Sequence, residues 1–193
     1  MDDEPPVRLA PLEDSHVARY LSLSADPVLI DTMGWKPYDP DDAERFLRYV
    51  ENITVPYLMG GRTVALSIVS TADGTPIGYL SLKGVREGGT GAEIGLAIMD
   101  KDYRGRGLGT MALRQAAEYA FDELELSVLV LTVFPDNEPA IRSYEKVGFK
   151  KTELLKEAFE MADETFADMW VMELSRDDFV NAKARAGSSA NSM

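Results

Sequence analysis

A single mixed α/β domain, with a twisted and mostly antiparallel sheet flanked by helices, follows from three observations on the 193-residue chain. The first is a run of three short segments, "TVALSIVS", "TPIGYLSLKGV" and "AEIGLAIM", that are β-branched or alternate in polarity. The first two are joined by "TADG", whose Asp73-Gly74 pair is a hairpin signal, so three antiparallel strands are predicted. The second is "TMALRQAAEYAFDEL", which sets Leu113, Ala116, Ala117, Ala120 and Leu124 on one helical face and runs directly into the apolar "SVLVLTVF". A strand, a helix and a buried strand in succession imply a right-handed crossover and a parallel pair. The third is a hydrophobic content of 45%, enough at this length for one substantial core.

The remaining elements are placed by their caps and periods. "LEDSHVARYLSLSAD" carries Val17, Tyr20 and Leu21 behind an Asp14 or Ser15 cap and predicts a helix. "DPDDAERFLRYVENI" predicts a second, capped by Asp39 or Asp41, with Phe46, Leu47 and Val50 at helical spacing. Between them "MGWKPYDP" reads as a loop whose Trp35 and Tyr38 either line a site or close the core. "PDNEPAIRSYEKVGF" predicts a short helix with Asn137 as N-cap and Gly148 as its stop. Strands at about "KKTELLKEAF" and "FADMWVMEL" complete the sheet. Residues 1–181 are expected to form the domain, and 182–193, poor in apolar residues, a disordered tail.

Composition narrows the chemistry. The chain has no cysteine, which removes disulfides, thiolate metal sites and acyl-cysteine intermediates, and one histidine, His16, which cannot supply a multi-histidine metal site. His16 reads as a surface or helix-cap residue. No metal is expected. A net charge of −13 opposes nucleic-acid binding. The acidity concentrates between Glu153 and Asp178, as a solvated face or as a patch that steers a cationic amine. The acidic start and the lack of a long apolar run predict a cytoplasmic protein that does not enter a membrane.

The most informative stretch is "DYRGRGLGTMAL", residues 102–113. A strand ends near Met99 and a helix starts near Thr110, so free N–H groups and the positive end of a helix dipole converge on the turn between them. Gly105, Gly107 and Gly109 keep side chains out of the way, and Arg104 and Arg106 add positive charge. A diphosphate is the expected guest. The spacing is neither the G-x-G-x-x-G of a dinucleotide fold nor a P-loop.

The stretch resembles the R/Q-x-x-G-x-G/A signature of the GNAT superfamily of acyl-CoA-dependent N-acetyltransferases, with Arg104, Gly107 and Gly109 in the specified places. "PDNEPAIRSYEKVGF" resembles the second signature of that superfamily through Asn137, Ala140, Tyr144, Gly148 and Phe149. The resemblance covers roughly residues 76–150, and "FADMWVMEL" resembles the last strand of the ribosomal-protein acetyltransferase branch. It implies a GNAT-like fold whose two central parallel strands splay apart around the pantetheine arm of CoA.

The resemblance also implies roles. Backbone N–H groups of Arg104, Gly105, Arg106, Gly107, Leu108, Gly109 and Thr110 would cradle the CoA pyrophosphate, and those near Ala97, Ile98 and Met99 would stabilise the thioester oxygen. Asn137 would cap its helix and contact pantetheine, and Tyr144 would protonate the departing thiolate. Glu93 matches a position where some members carry a general base; a structural glutamate, paired with an arginine or capping a loop, is equally open. The implied reaction is direct acetyl transfer from acetyl-CoA to a primary amine: a protein N-terminus, a polyamine or another small amine. A non-catalytic acyl-CoA sensor and a nucleotide-binding protein of another class are the alternatives. Dimerisation is common on the implied scaffold.

Overall fold

The computed structural model describes residues 5–39, 41–55, 60–161 and 163–190. Its elements run β1 (Val7–Pro11), α1 (Asp14–Leu23), α2 (Pro27–Met33), α3 (Ala43–Glu51), β2 (Arg62–Ser70), β3 (Pro76–Val85), β4 (Gly91–Ile98), α4 (Leu108–Glu118), β5 (Val128–Val133), α5 (Glu138–Val147), β6 (Lys150–Glu160), β7 (Phe166–Ser175) and α6 (Arg176–Ala190). A 3₁₀ turn at Lys101–Tyr103 precedes α4, and a π-helical turn at Tyr119–Glu123 follows it.

The strands form one sheet in the order β1-β2-β3-β4-β5-β7-β6, antiparallel except for β4 and β5. The predicted parallel crossover is therefore present, with α4 as its helix. The β4–β5 register is short: Gly91 pairs with Val128, Ala92 with Leu129 and Glu93 with Val130. Beyond Glu93, β4 continues to Ile98 against β3 alone and β5 continues to Val133 against β7 alone. The two central strands thus splay, leaving one backbone edge of residues 94–98 without a partner strand.

Each face of the sheet carries its own core. On one side Ile77, Leu80, Leu82, Ala92 and Ile94 pack beneath Leu113, Ala116 and Ala117 of α4 and Ile141 of α5. On the other, Tyr79, Ala97 and Met99 meet Val17 and Tyr20 of α1, Leu29 of α2 and Phe46 and Val50 of α3. Alternation along β4 sets Ala92, Ile94, Leu96 and Ile98 on the α4 side.

Three elements and two caps differ from the sequence reading: α1 is capped by Glu13 and α3 by Asp42, each one residue from an expected cap. β1 and α2 were not predicted: β1 is an edge strand of five residues, and α2 has only seven residues behind an Asp26 cap and Pro27. Both are too short for their period to be read. The expected tail is helical through Ala190, while 191–193 lie outside the described residues. Phe179, near its start, is buried against Phe121, and Lys183 reaches Glu118 at 2.6 Å, so two contacts anchor a helix whose middle, Ala182–Ala186, is of good helix formers. Trp35 and Tyr38 are buried in the core beneath α1 and α3 and close it, each packing edge-on against Phe46.

Candidate active site

The splay opens a cavity of about 530 Å³ that is lined from both faces of the sheet. On the α4 side its wall is the glycine turn, the first residues of α4 and the inner face of α5. Asn137 caps α5 by accepting from the Ala140 N–H at 3.3 Å, and Gly148 ends the helix in the left-handed region at φ 113°. Those two stops set the rotation of α5 and so turn Tyr144 toward the cavity it lines.

Gly105 and Gly107 both sit at positive φ, 73° and 77°, and a Cβ on either would point into open space. The backbone is therefore bare where α4 begins, with Gly107 as its N-cap and the N–H groups of Leu108, Gly109 and Thr110 in the unpaired first turn. Thr110 and Ser143 join their hydroxyls across α4 and α5, fixing the two helices at this end.

Arg104 does something other than add charge to the turn. Its guanidinium donates to the Ile98 carbonyl at 2.8 Å and the Met99 carbonyl at 2.7 Å, and pairs with Asp26 at 3.1 Å. It thereby caps the end of β4 and ties it to the start of α2. Arg106 lies over the Tyr103 ring, 5.6 Å from its centroid. Met99 and Arg106 do not line the cavity, whereas Ala97, Ile98, Arg104, Gly105, Gly107, Leu108, Gly109, Thr110, Asn137, Tyr144 and Glu93 do.

Burial works to raise the Asp26 carboxyl, but the Arg104 hydrogen bond and charge, with the Val28 and Leu29 N–H groups, outweigh it and hold the group below the usual carboxylate range. A depressed folded pKa contributes stability in full above the unfolded value, about 3.9, and loses it as pH falls through the folded one. Asp26→Asn keeps the helix cap and removes the charge, so it melts lower than the wild type at pH 6. The two melting temperatures should converge as pH drops below about 3.9; thermal melts across pH 2.5–6 check this.

Tyr144 packs its ring at 6.1 Å from Phe149, and its hydroxyl has no hydrogen bond among the described residues. Burial pushes its phenol up to about 12. The cavity lining thus contains a phenol that stays protonated.

Glu93 is fully engaged. Its carboxylate accepts from Lys83 Nζ at 2.6 Å and from the backbone N–H groups of Thr54 and Val55 at 2.7 and 2.8 Å. The side chains of Lys83 and Glu93 are 8% and 3% exposed. Lys83 also donates to the Asn52 carbonyl. Where the sequence reading allowed a pairing with an arginine, the partner is a lysine. Lys83 was missed, although the alternation of Tyr79, Ser81 and Lys83 along "PIGYLSLKGV" places it opposite Glu93 in the β3–β4 hairpin. Tyr49, Phe159 and Met169 also line the cavity, and no local motif marks them.

His16 has the expected helix-cap position: it closes a capping box with Glu13 and shares a 2.7 Å hydrogen bond with Ser67. Among the described residues no group of three His, Asp or Glu is placed to hold a metal ion, and no helix is long and apolar enough to cross a membrane.

A family model described as an acetyltransferase (GNAT) domain matches residues 7–150, which includes the glycine turn, the splayed strands and α5. The chain belongs to the GNAT acetyltransferase family. Among curated relatives, spermidine N(1)-acetyltransferase of Escherichia coli K12 is 37% identical over 92 residues, 47% of this chain and 49% of the relative. The match to such relatives thus spans about half their length. Among solved structures, the GNAT fold seen here is shared with the Vibrio cholerae spermidine N-acetyltransferase in complex with CoA and spermine (TM-score 0.73, 19% identity, 91% of this chain and 98% of that one). It is shared too with Mycobacterium smegmatis RimJ in complex with CoA-disulfide (TM-score 0.75, 22% identity, 94% and 89%).

Proposed function

We propose that this chain is an acetyl-CoA-dependent N-acetyltransferase that moves the acetyl group directly to a primary amine, within the classes of protein N-terminus, polyamine or other small amine. One observation carries the reading: a bare glycine turn at the N-terminus of α4 and Tyr144 of α5 line one cavity at the gap between parallel strands. The residues fit the cosubstrate. The turn leaves N–H groups and helix dipole available to a diphosphate, and the unpaired edge of β4 is an extended strip along which an amide-containing arm can lie.

When bound, acetyl-CoA supplies a thioester: a C–N bond forms to the neutral amine, the C–S bond breaks, and the sulfur leaves with the electron pair. The chain's residues position and stabilise. Arg104 occupies the carbonyls at the end of β4, so the N–H groups near Ala97 to Met99 are what this stretch offers to a carbonyl oxygen gaining negative charge. Tyr144 donates its proton to the departing sulfur, and the proton lost by the acylated nitrogen returns through solvent to the phenolate. We assign Glu93 to positioning: it holds Lys83 and the segment after α3 against β4.

The test is calorimetric titration with acetyl-CoA, CoA and NAD, followed by thiol release against a panel of amines and basic peptides. Micromolar CoA binding with thiol release is expected. CoA binding without release from any acceptor would mark a sensor, and NAD or ATP competing for the site would mark another class of protein. Gly107→Ala is the internal control. A side chain in the left-handed region costs about 1 kcal/mol of stability. Losing one charge-assisted phosphate contact should weaken CoA binding about 10- to 100-fold.

A further inference from the structure

The cavity can also be read for what its acceptor must be, an inference that rests on the function proposed above. Glu93 is the only carboxylate lining the cavity among the described residues. Both its oxygens are taken by Lys83, Thr54 and Val55, so it offers a cation nothing further. The other charged groups on the wall among the described residues are cations: Lys83, paired with Glu93, Arg104, paired with Asp26, and Arg142 and Lys146 on α5. The acidity of the chain lies elsewhere. Glu157, Glu160, Asp163 and Glu164 of the β6–β7 hairpin are solvent-exposed, Asp168 is paired with Lys156, and none of the five lines the cavity. An exposed acidic surface can speed the approach of a cation but cannot hold one inside.

The wall on the α2 and α3 side is instead apolar and aromatic: Leu29, Met33, Tyr49, Tyr79, Phe134 and Phe159. Phe134 and Phe159 meet edge-on at 5.3 Å. Val28, also on this wall, is 54% exposed, an apolar side chain that the fold leaves uncovered. Among the described residues the site also contains no free base. His16 is remote from it, Glu93 is engaged, and the remaining polar side chains on this wall are hydroxyls and amides. An amine that arrives protonated would find nothing to take its proton.

We infer that the acceptor is a weakly basic primary amine carried on an uncharged apolar or aromatic body, and that polycationic amines are poor acceptors. Basicity sets the size of the effect. At pH 7.5 an α-amine of pKa about 7.7–8.0 is about a quarter or more neutral, whereas an alkylamine near 10.4 is neutral in about one molecule per thousand. The neutral amine attacks, the nitrogen sheds its proton to water as the C–N bond forms, and Tyr144 protonates the thiolate, so no protein base enters the balance.

The experiment measures thiol release from acetyl-CoA with three probes, L-phenylalaninamide, phenethylamine and spermidine, at pH 7.5 and 9.5, with acetyl-CoA binding measured separately by calorimetry. Phenylalaninamide should exceed phenethylamine in kcat/KM by about 10²-fold at pH 7.5, and the ratio should shrink to about tenfold at pH 9.5. Spermidine should trail both. Val28→Glu, on an exposed position, places a free carboxylate at the wall and should raise kcat/KM for spermidine severalfold while lowering it for phenylalaninamide. Spermidine turned over as well as phenylalaninamide by the wild type overturns the inference, as does bound acetyl-CoA with no release from phenylalaninamide. Failure to bind acetyl-CoA overturns the proposed function instead.

Discussion

Tyr144→Phe should lower kcat about 10²-fold while leaving the affinity for acetyl-CoA within about twofold, the loss typical of removing one positioned general acid. The substitution deletes only an oxygen. The ring keeps its contact with Phe149, and the hydroxyl has no hydrogen bond among the described residues, so folding stability should hardly change. The phenol is pushed up to about 12 by burial, which keeps it protonated across any practical assay range. Its ionisation should therefore leave no inflection in kcat between pH 6 and 10, and the limb seen there should follow the acceptor amine. The high pKa also limits the step: a phenolate is more basic than a thiolate of pKa about 8.5, so the proton passes only as the C–S bond breaks and is promptly replaced. A Phe variant that keeps more than half its turnover in steady-state kinetics would remove Tyr144 from the chemistry.

Glu93→Gln should act on stability before it acts on rate. The carboxylate is the counter-charge of a buried lysine and the acceptor for two backbone N–H groups, so it joins β4, β3 and the segment that follows α3. The amide leaves Lys83 buried without its partner. Breaking one side of such a pair costs about 3–5 kcal/mol, and for a chain of this size that is a drop in melting temperature of about 6–20 °C. The paired replacement Lys83→Met with Glu93→Leu should recover most of it, because two apolar groups need no counter-charge. A general base predicts the opposite pattern. Wild-type melting of Glu93→Gln with turnover down 100-fold or more would return Glu93 to catalysis.

How much was legible in the sequence varies by element. The strands β2 to β7, the crossover helix α4 and the caps of α5 each rest on local signals: period, turn chemistry at Asp73-Gly74, Asn137 and Gly148 at the ends of one helix. The glycine turn was equally plain, since positive φ at Gly105 and Gly107 is a property of the residue type and of nothing distant. β1 and α2 carry no such signal at five and seven residues, and they are held by neighbours, β1 by β2 and α2 by the Arg104–Asp26 pair.

The site divides in the same way. By itself the sequence determined the runs that become β2 to β7, the bare glycine turn, the caps of α5 and the motifs that mark the family, because each depends on residues within a few turns of one another. Only the tertiary structure decided which way Arg104 points, what Glu93 holds and which side chains face the acceptor. Arg104 answers to Asp26, 78 residues away, and Glu93 to Thr54 and Val55, 39 and 38 residues away, segments that meet only on folding. A charge's role is set by the charge beside it, and that neighbour is supplied by the fold.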